Sequence, residues 1–208
     1  KLINEQSRPM TIIISGAKVS TKIVLIKKLL TKCDYMILGG GILNTFLKAK
    51  GHEVGKSLLE EGYVGDAVKI VESDFANKLI FPSDFSCVTE NGVANVELSR
   101  ISTNDSIYDL GTTSINEIKN IVKKSSSVFW NGPLGYVEKK PFNKGTEELA
   151  KAIADHNCFS IVGGGDTLPI IENLKLQNGY NCISTGGGSL LTYLEGGSLP
   201  IIDKLNLR

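Results

Sequence analysis

Short, uninterrupted apolar runs alternate along the chain with longer stretches in which apolar residues recur every three or four positions. The runs at 11–15, 35–38, 79–81, 127–130, 159–162 and 182–184 read as strands covered on both faces, because they lack the apolar–polar alternation of a half-exposed sheet. Between them, Ile23, Ile26, Leu29 and Leu30 mark one helix face, and Val64, Val68 and Val71 mark a second. Leu149, Ile153 and Ala154 mark another. Ser114 followed by Glu117 has the spacing of a capping box and is expected to open a further helix. This alternation predicts an α/β fold with a doubly wound, mostly parallel sheet and helices on both faces, Rossmann-like in plan. From 84 to 110 the pattern changes. Asn91-Gly92 precedes the alternating Val93, Asn95, Val96 and Leu98, which predicts a hairpin. No linker, repeat or low-complexity stretch divides the sequence, so one domain is expected.

Glycine is where the pattern turns toward chemistry. Three triplets, Gly39–Gly41, Gly163–Gly165 and Gly186–Gly188, each fall between an expected strand and an expected helix. That is the carboxyl edge of an open α/β sheet, where ligands bind. Glycine lets backbone N–H groups come close to a ligand, and a following helix N-terminus favours negative charge. A fourth such junction, Gly16-Ala17-Lys18-Val19-Ser20-Thr21-Lys22, sets two lysines four residues apart at a helix start. Cations oppose the helix dipole there, so an anion between them would explain the pair; two solvated lysines are the plainer alternative. Gly164-Gly165-Asp166-Thr167 adds a carboxylate and a hydroxyl to one glycine turn. Either Asp166 holds Mg²⁺ against phosphate oxygens, or Asp166 or Thr167 caps the next helix.

Other chemistries find no support. Gly51 to Ser57 resembles a Walker A loop, but three residues instead of four separate its glycines, so a connecting loop is expected. There is no G-x-G-x-x-G with an acidic partner and no G-x-S-x-G elbow, which disfavours a nicotinamide dehydrogenase and a serine hydrolase. The 208 residues carry 23 basic and 22 acidic side chains, a balance unlike that of a nucleic-acid binder. No apolar stretch approaches the ~20 residues of a membrane helix. Cys33, Cys87, Cys158 and Cys182 lie far apart and are expected to be buried, reduced thiols. His52 and His156 are expected at the surface. With no apolar leader in the first ten residues, a cytoplasmic setting is expected. Lys at position 1 leads to the expectation of a processed chain or part of a longer one.

Taken in order, GAKVSTK (16–22), GGGILNTFLKAKG (39–51), GKSLLEE (55–61), WNGPLGYVE (130–138), KGTEELA (144–150), GGGDT (163–167) and STGGG (184–188) resemble the carboxyl-terminal, nucleotide-binding half of phosphoglycerate kinase. The resemblance runs from about residue 8 to 199. It implies reversible phosphoryl transfer between 1,3-bisphosphoglycerate and ADP, giving 3-phosphoglycerate and MgATP in glycolysis. By this resemblance Gly39, Gly40 and the stretch from Pro133 to Val137 border the adenine, and Glu138 meets the ribose. Gly16, Ala17, Lys22 and Asn131 belong to the nucleotide site, with Lys22 on its phosphates. Gly164, Gly165, Asp166 and Thr167 form the phosphate loop, with Asp166 on Mg²⁺. Lys18 and the helix start at Gly186, Gly187 and Gly188 meet the transferred group. Three departures stand out: Thr21 where the family usually has Asp, Ile107 where it tends to have Gly near the adenine, and Ser189-Leu190 for Ala-Ser. The substrate-holding amino-terminal half has no counterpart here, so residues 1–208 are expected to be the nucleotide domain of a monomer about twice as long, inactive alone. A non-catalytic adenine-nucleotide module is the alternative.

Overall fold

The computed structural model describes residues 8–194; residues 195–199, where the resemblance ends, fall outside it. The chain opens with β1 (Met10–Ser15), α1 (Ile23–Leu30), β2 (Tyr35–Gly39), α2 (Gly40–Ala49), α3 (Val64–Val71) and β3 (Leu79–Ile80). Then come β4 (Asp84–Thr89), β5 (Gly92–Glu97), β6 (Ser106–Leu110) and α4 (Thr112–Lys124). The last part holds β7 (Ser127–Asn131), α5 (Lys144–Ala154), β8 (Phe159–Gly163), α6 (Leu168–Asn173), β9 (Cys182–Ser184) and α7 (Gly187–Leu194).

All six apolar runs are strands of one parallel sheet, in the order β3-β2-β1-β7-β8-β9. Within that sheet the order is third-second-first-fourth-fifth-sixth, the doubly wound arrangement. Its topological switch point falls between β1 and β7. Consecutive Ile12, Ile13 and Ile14 are all fully buried. Successive strand residues point to opposite faces, so both faces of β1 are covered. Side chains from both sheets join one core cluster, Phe129 and Trp130 from β7 with Phe85 from β4 among them.

The expected hairpin is two strands of a three-stranded antiparallel sheet, β5-β4-β6. The expected capping box does not form. Ser114 lies inside α4, and its hydroxyl accepts from the Ser83 and Asp84 N–H groups and donates to the Asp84 carbonyl. Instead Asp84, buried on β4, accepts from the Thr113 and Ser114 N–H groups at 3.1 and 2.7 Å. A carboxylate from another element thus satisfies the orphan donors of the first turn. In α3 the fully buried residues are Ala67 and Ile70, with Val64, Val68 and Val71 partly buried beside them. Residues 51–57 form a connecting loop, as expected.

Cys33 and Cys87 are buried, and burial pushes their thiols up to about 11 and about 12. Cys158 is half-buried, while Cys182 is exposed on the edge strand β9, against expectation. His52 and His156 are half-buried at the surface, and His156 Nε2 lies 2.8 Å from the Ser125 carbonyl. No helix among the described residues is long and apolar enough to cross a membrane.

Candidate functional site: a lysine- and glycine-lined cleft at the switch point

At the carboxyl ends of β1 and β7 the chain must turn away in opposite directions, which leaves a crevice between the two loops. A cleft of ≈ 190 Å³ opens there, lined by Ser15, Gly16, Lys22, Asn131, Gly132, Pro133, Gly164, Gly165, Asp166, Gly188 and Leu191. Gly132 makes the crevice possible. Its φ of +93° favours glycine, and a Cβ there would collide with the Ser15 carbonyl oxygen. The Ser15 hydroxyl donates to the Pro133 carbonyl, tying the β1 and β7 loops together behind the cleft.

Lys22 is the centre of the site. It is the residue preceding α1, and its half-buried ammonium donates to the Ser15 carbonyl at 2.5 Å and to Asn131 Oδ1 at 2.7 Å. The other end of the Asn131 amide donates to the Gly163 carbonyl at 2.9 Å. These two bonds fix which way the amide faces, so Asn131 aims Lys22 while joining β7 to β8. Burial lowers the Lys22 pKa from 10.5 to about 8, and the Asp166 carboxylate opposes that shift. A partly desolvated cation with a carboxylate beside it is a site that an anion would stabilise.

Lys18 goes elsewhere. A three-residue 3-10 turn, Val19–Thr21, separates it from Lys22 instead of one turn of α-helix. Lys18 is exposed and outside the cleft lining; the Ser20 N–H hydrogen bond is the main cause that holds the nearby Glu60 carboxylate below its ordinary pKa, with the Lys18 charge a lesser one. Glu60 itself grips the turn, accepting from the Ser20 N–H at 2.7 Å and the Ser20 hydroxyl at 2.8 Å. Neither Glu60 nor Ser15 stood out in the sequence, because each acts on a partner distant along the chain or through its backbone.

Of the expected site residues, the fold brings Gly16, Lys22, Asn131, Pro133, Gly164, Gly165, Asp166 and Gly188 to this cleft. Thr167 is fully buried beneath the loop at the residue before α6. Its hydroxyl makes no capping bond and has no partner, so the capping alternative loses its hydrogen bond. Gly40 lines a second, smaller cavity with Leu43, Asn44, Phe85, Ile107, Tyr108, Asp109, Leu110 and Leu134. Gly39 is packed between the Ser15 side chain and Leu134. Ala17, Val137, Glu138 and Gly186 line neither cavity; Ala17, Glu138 and Gly186 are exposed, and Gly187 opens α7.

Among the described residues no three His, Cys, Asp or Glu side chains gather as a metal site. Asp166, exposed at the cleft, is a lone carboxylate. That donor set does not make an all-protein cage, but it suits Mg²⁺, which is commonly held by one or two carboxylates together with phosphate oxygens and water.

The fold and the cleft define a class: a doubly wound α/β protein with a cationic, glycine-lined cleft at its switch point. Comparison with known proteins narrows it. The family model for phosphoglycerate kinase matches residues 1–197, and the chain belongs to that family. It is 44% identical over 202 residues to a phosphoglycerate kinase of Buchnera aphidicola subsp. Baizongia pistaciae, covering 95% of this chain and 50% of that protein. It is 39% identical over 207 residues to one of Baumannia cicadellinicola subsp. Homalodisca coagulata, covering 99% and 53%. The phosphoglycerate kinase structure from Coxiella burnetii superimposes with a TM-score of 0.92 at 37% identity, over 99% of this chain and 55% of that one. The structure from Pyrococcus horikoshii OT3 gives 0.87 at 29%, over 98% and 53%. The chain therefore spans about half the length of the curated relatives it matches.

Proposed function

We propose that this chain is the nucleotide-binding, carboxyl-terminal half of a cytoplasmic, monomeric phosphoglycerate kinase. In this reading it holds ADP or ATP while the complementary half presents 1,3-bisphosphoglycerate or 3-phosphoglycerate. The observation that carries the proposal is the half-buried Lys22 ammonium, aimed by Asn131 into a glycine-lined cleft at the switch point. Lys22 and the loop of Gly164, Gly165, Asp166 and Thr167 bind the phosphates. Asp166 would hold Mg²⁺, which supplies positive charge to the phosphate oxygens. The α7 start at Gly188 meets the group being transferred, and Lys18, outside the cleft lining here, would have to swing toward that group to meet it.

Phosphoryl transfer asks the protein for position and charge stabilisation more than for covalent chemistry. A carboxylate acceptor is already a nucleophile, so no side-chain base is required. Position is what one half lacks, and correct alignment of the two reactants can supply ~7–11 kcal/mol of barrier reduction. Calorimetry with MgADP tests binding, and a coupled assay tests turnover. Binding by the chain with negligible turnover, and turnover restored by adding the complementary half, is the expected result. Turnover by the chain alone at the rate of an intact relative would mean that these residues hold a complete substrate site.

A further inference from the structure

A groove of ≈ 500 Å³ lies at the amino ends of β7, β8 and β9, on the edge of the sheet opposite the Lys22 cleft. Its volume falls within the ~300–1,000 Å³ common for small-molecule sites. Ligands of an open α/β sheet ordinarily bind at the carboxyl edge, so the nucleotide reading leaves this groove without a task. Ser126 lines the groove and Asn131 the cleft, with β7 running about 16 Å between them.

Hydrogen-bond donors dominate its walls. Lys123 and Lys124, in the last turn of α4, both line it, and neither has an ion pair or hydrogen bond among the described residues. The helix dipole accounts for cations in a last turn, but not for the other polar groups around the same groove. Asn181 accepts at Oδ1 from the Ser160 N–H at 2.8 Å, which fixes its amide and leaves the Nδ2 donors without a partner. His156 is held in a similar way. The Ser125 carbonyl can only accept, so Nε2 carries the hydrogen of that 2.8 Å bond, and Nδ1 is the ring atom left for a ligand. Among the described residues no Asp or Glu lines the groove, although the chain carries 22 acidic against 23 basic side chains. Cys158 lines it too, but burial raises its thiol, so the groove holds no activated nucleophile. It is built to bind, not to react.

We propose that this groove binds a small phosphorylated molecule, with Lys123, Lys124 and the Asn181 amide as donors to its phosphate. A phosphate dianion answers two neighbouring positive charges with one group, and its oxygens accept from several directions. Ammonium and amide groups are single-point donors that suit such a target. A carboxylate is better matched by the fork of an arginine, and none lines the groove. Half-buried Phe159 forms an apolar part of the lining. It keeps water from one side of the ligand, where charges act more strongly than on an open surface.

The full chain has two histidines, His52 and His156, which makes proton NMR a site-specific test. The ring C–H signals of His156, assigned with His156→Gln, report on the groove. Those of His52, which lines neither the groove nor the cleft, are the control. Inorganic pyrophosphate is the probe, added at constant pH. The His156 signals should move along a saturating curve while those of His52 stay in place. Lys123→Gln combined with Lys124→Gln should weaken the response about tenfold or more. Asn181→Asp keeps the bond from the Ser160 N–H but sets a like charge against the phosphate, and should abolish the response. Lys22→Met should leave the groove response as it is; its loss there would put the anion in the cleft and overturn the proposal. Equal movement with sodium chloride at the same ionic strength would reduce the lysines to screened surface charge and overturn it too. A glutamate peptide that moves the His156 signals as strongly as pyrophosphate would refute the phosphate assignment in favour of an acidic protein partner.

Discussion

Lys22 makes the nucleotide reading quantitative. Its pKa is lowered from 10.5 to about 8 in the ligand-free protein, chiefly by burial. Bound phosphate would favour the charged form and raise that value again. Binding is therefore tied to a proton wherever free Lys22 is neutral and bound Lys22 is charged, that is, above pH 8. A group of pKa about 8 passes from mostly charged to almost wholly neutral between about pH 7.5 and 9.5, so ADP affinity should fall about 25-fold across that interval. Near pH 9 each ADP should draw in about 0.9 proton, measurable by calorimetry in two buffers of different ionisation enthalpy. Magnesium is left out so that its hydrolysis does not intrude. Lys22→Met should bind more weakly at pH 7.5, by roughly 10- to 150-fold for a charged hydrogen bond worth about 1.5–3 kcal/mol, and should show no slope.

Stability without ligand should run the other way. Between pH 8 and 10.5 the unfolded chain holds more protons on Lys22 than the folded one, so this residue's contribution improves as pH rises. The ceiling is ~3 kcal/mol, reduced because the ammonium is only partly buried. Constant affinity with no proton uptake would show that the ammonium does not meet the phosphates. An unchanged slope in Lys22→Met would assign the proton to another group.

Asp166→Asn should keep the fold while removing most of the Mg²⁺ dependence of ADP binding, because an amide retains the shape but loses the charge that holds a hard cation. An unchanged Mg²⁺ dependence in calorimetry would end that metal assignment. Asp109, fully enclosed by β6 and the start of α5, is pushed up to about 7 by burial, against the N–H groups of Gly145 and Leu110 and the charge of Lys144. A folded pKa above the unfolded one gives stability that is complete below about pH 4 and lost as pH rises through about 7, on the order of 3–4 kcal/mol at most. The melting temperature should fall from pH 5 to 8, and Asp109→Asn should flatten that fall; an equal fall in both proteins would exonerate Asp109.

What could be read in the sequence follows the range over which each signal acts. Strands covered on both faces must be apolar at every position, so 11–15 and 127–130 declare themselves without knowledge of their neighbours. β6 does not. Ser106 and Asp109 interrupt it, and Asp109 is tolerated only because backbone donors from Gly145 and Leu110 reach its carboxylate. The α4 cap was misread for the same reason. A Ser and a Glu three apart are a local sign, whereas Asp84 caps the helix from a strand about thirty residues away. In the site, the short junctions carrying Lys22, Asn131 and Gly164 to Asp166 were legible because each lies at the end of a readable strand. The separation of Lys18 from Lys22 was not, since four residues span a turn of α-helix or a 3-10 turn with equal ease, and these send side chains in different directions.

The glycine triplets looked alike in sequence, and the fold gives them different tasks, which a pair of substitutions separates. In an exposed helix Gly→Ala is stabilising by about 0.5–1 kcal/mol. Gly41, in the first turn of α2, should reverse that sign, because a Cβ would run into the Ala17 carbonyl oxygen where the β1 loop crosses the helix. Backbone on backbone cannot yield as a flexible side chain can, so Gly41→Ala should cost about 1–3 kcal/mol, read as a lower melting temperature. Gly165 lines the cleft and has open space where its Cβ would stand. Gly165→Ala should leave the melting temperature level or slightly raised, while its methyl group occupies the place of a phosphate oxygen and weakens ADP binding by about tenfold. One triplet then serves close packing and the other the approach of a ligand. Equal destabilisation by both substitutions, with ADP affinity intact in Gly165→Ala, would mean that both serve packing alone and that the cleft owes nothing to its glycines.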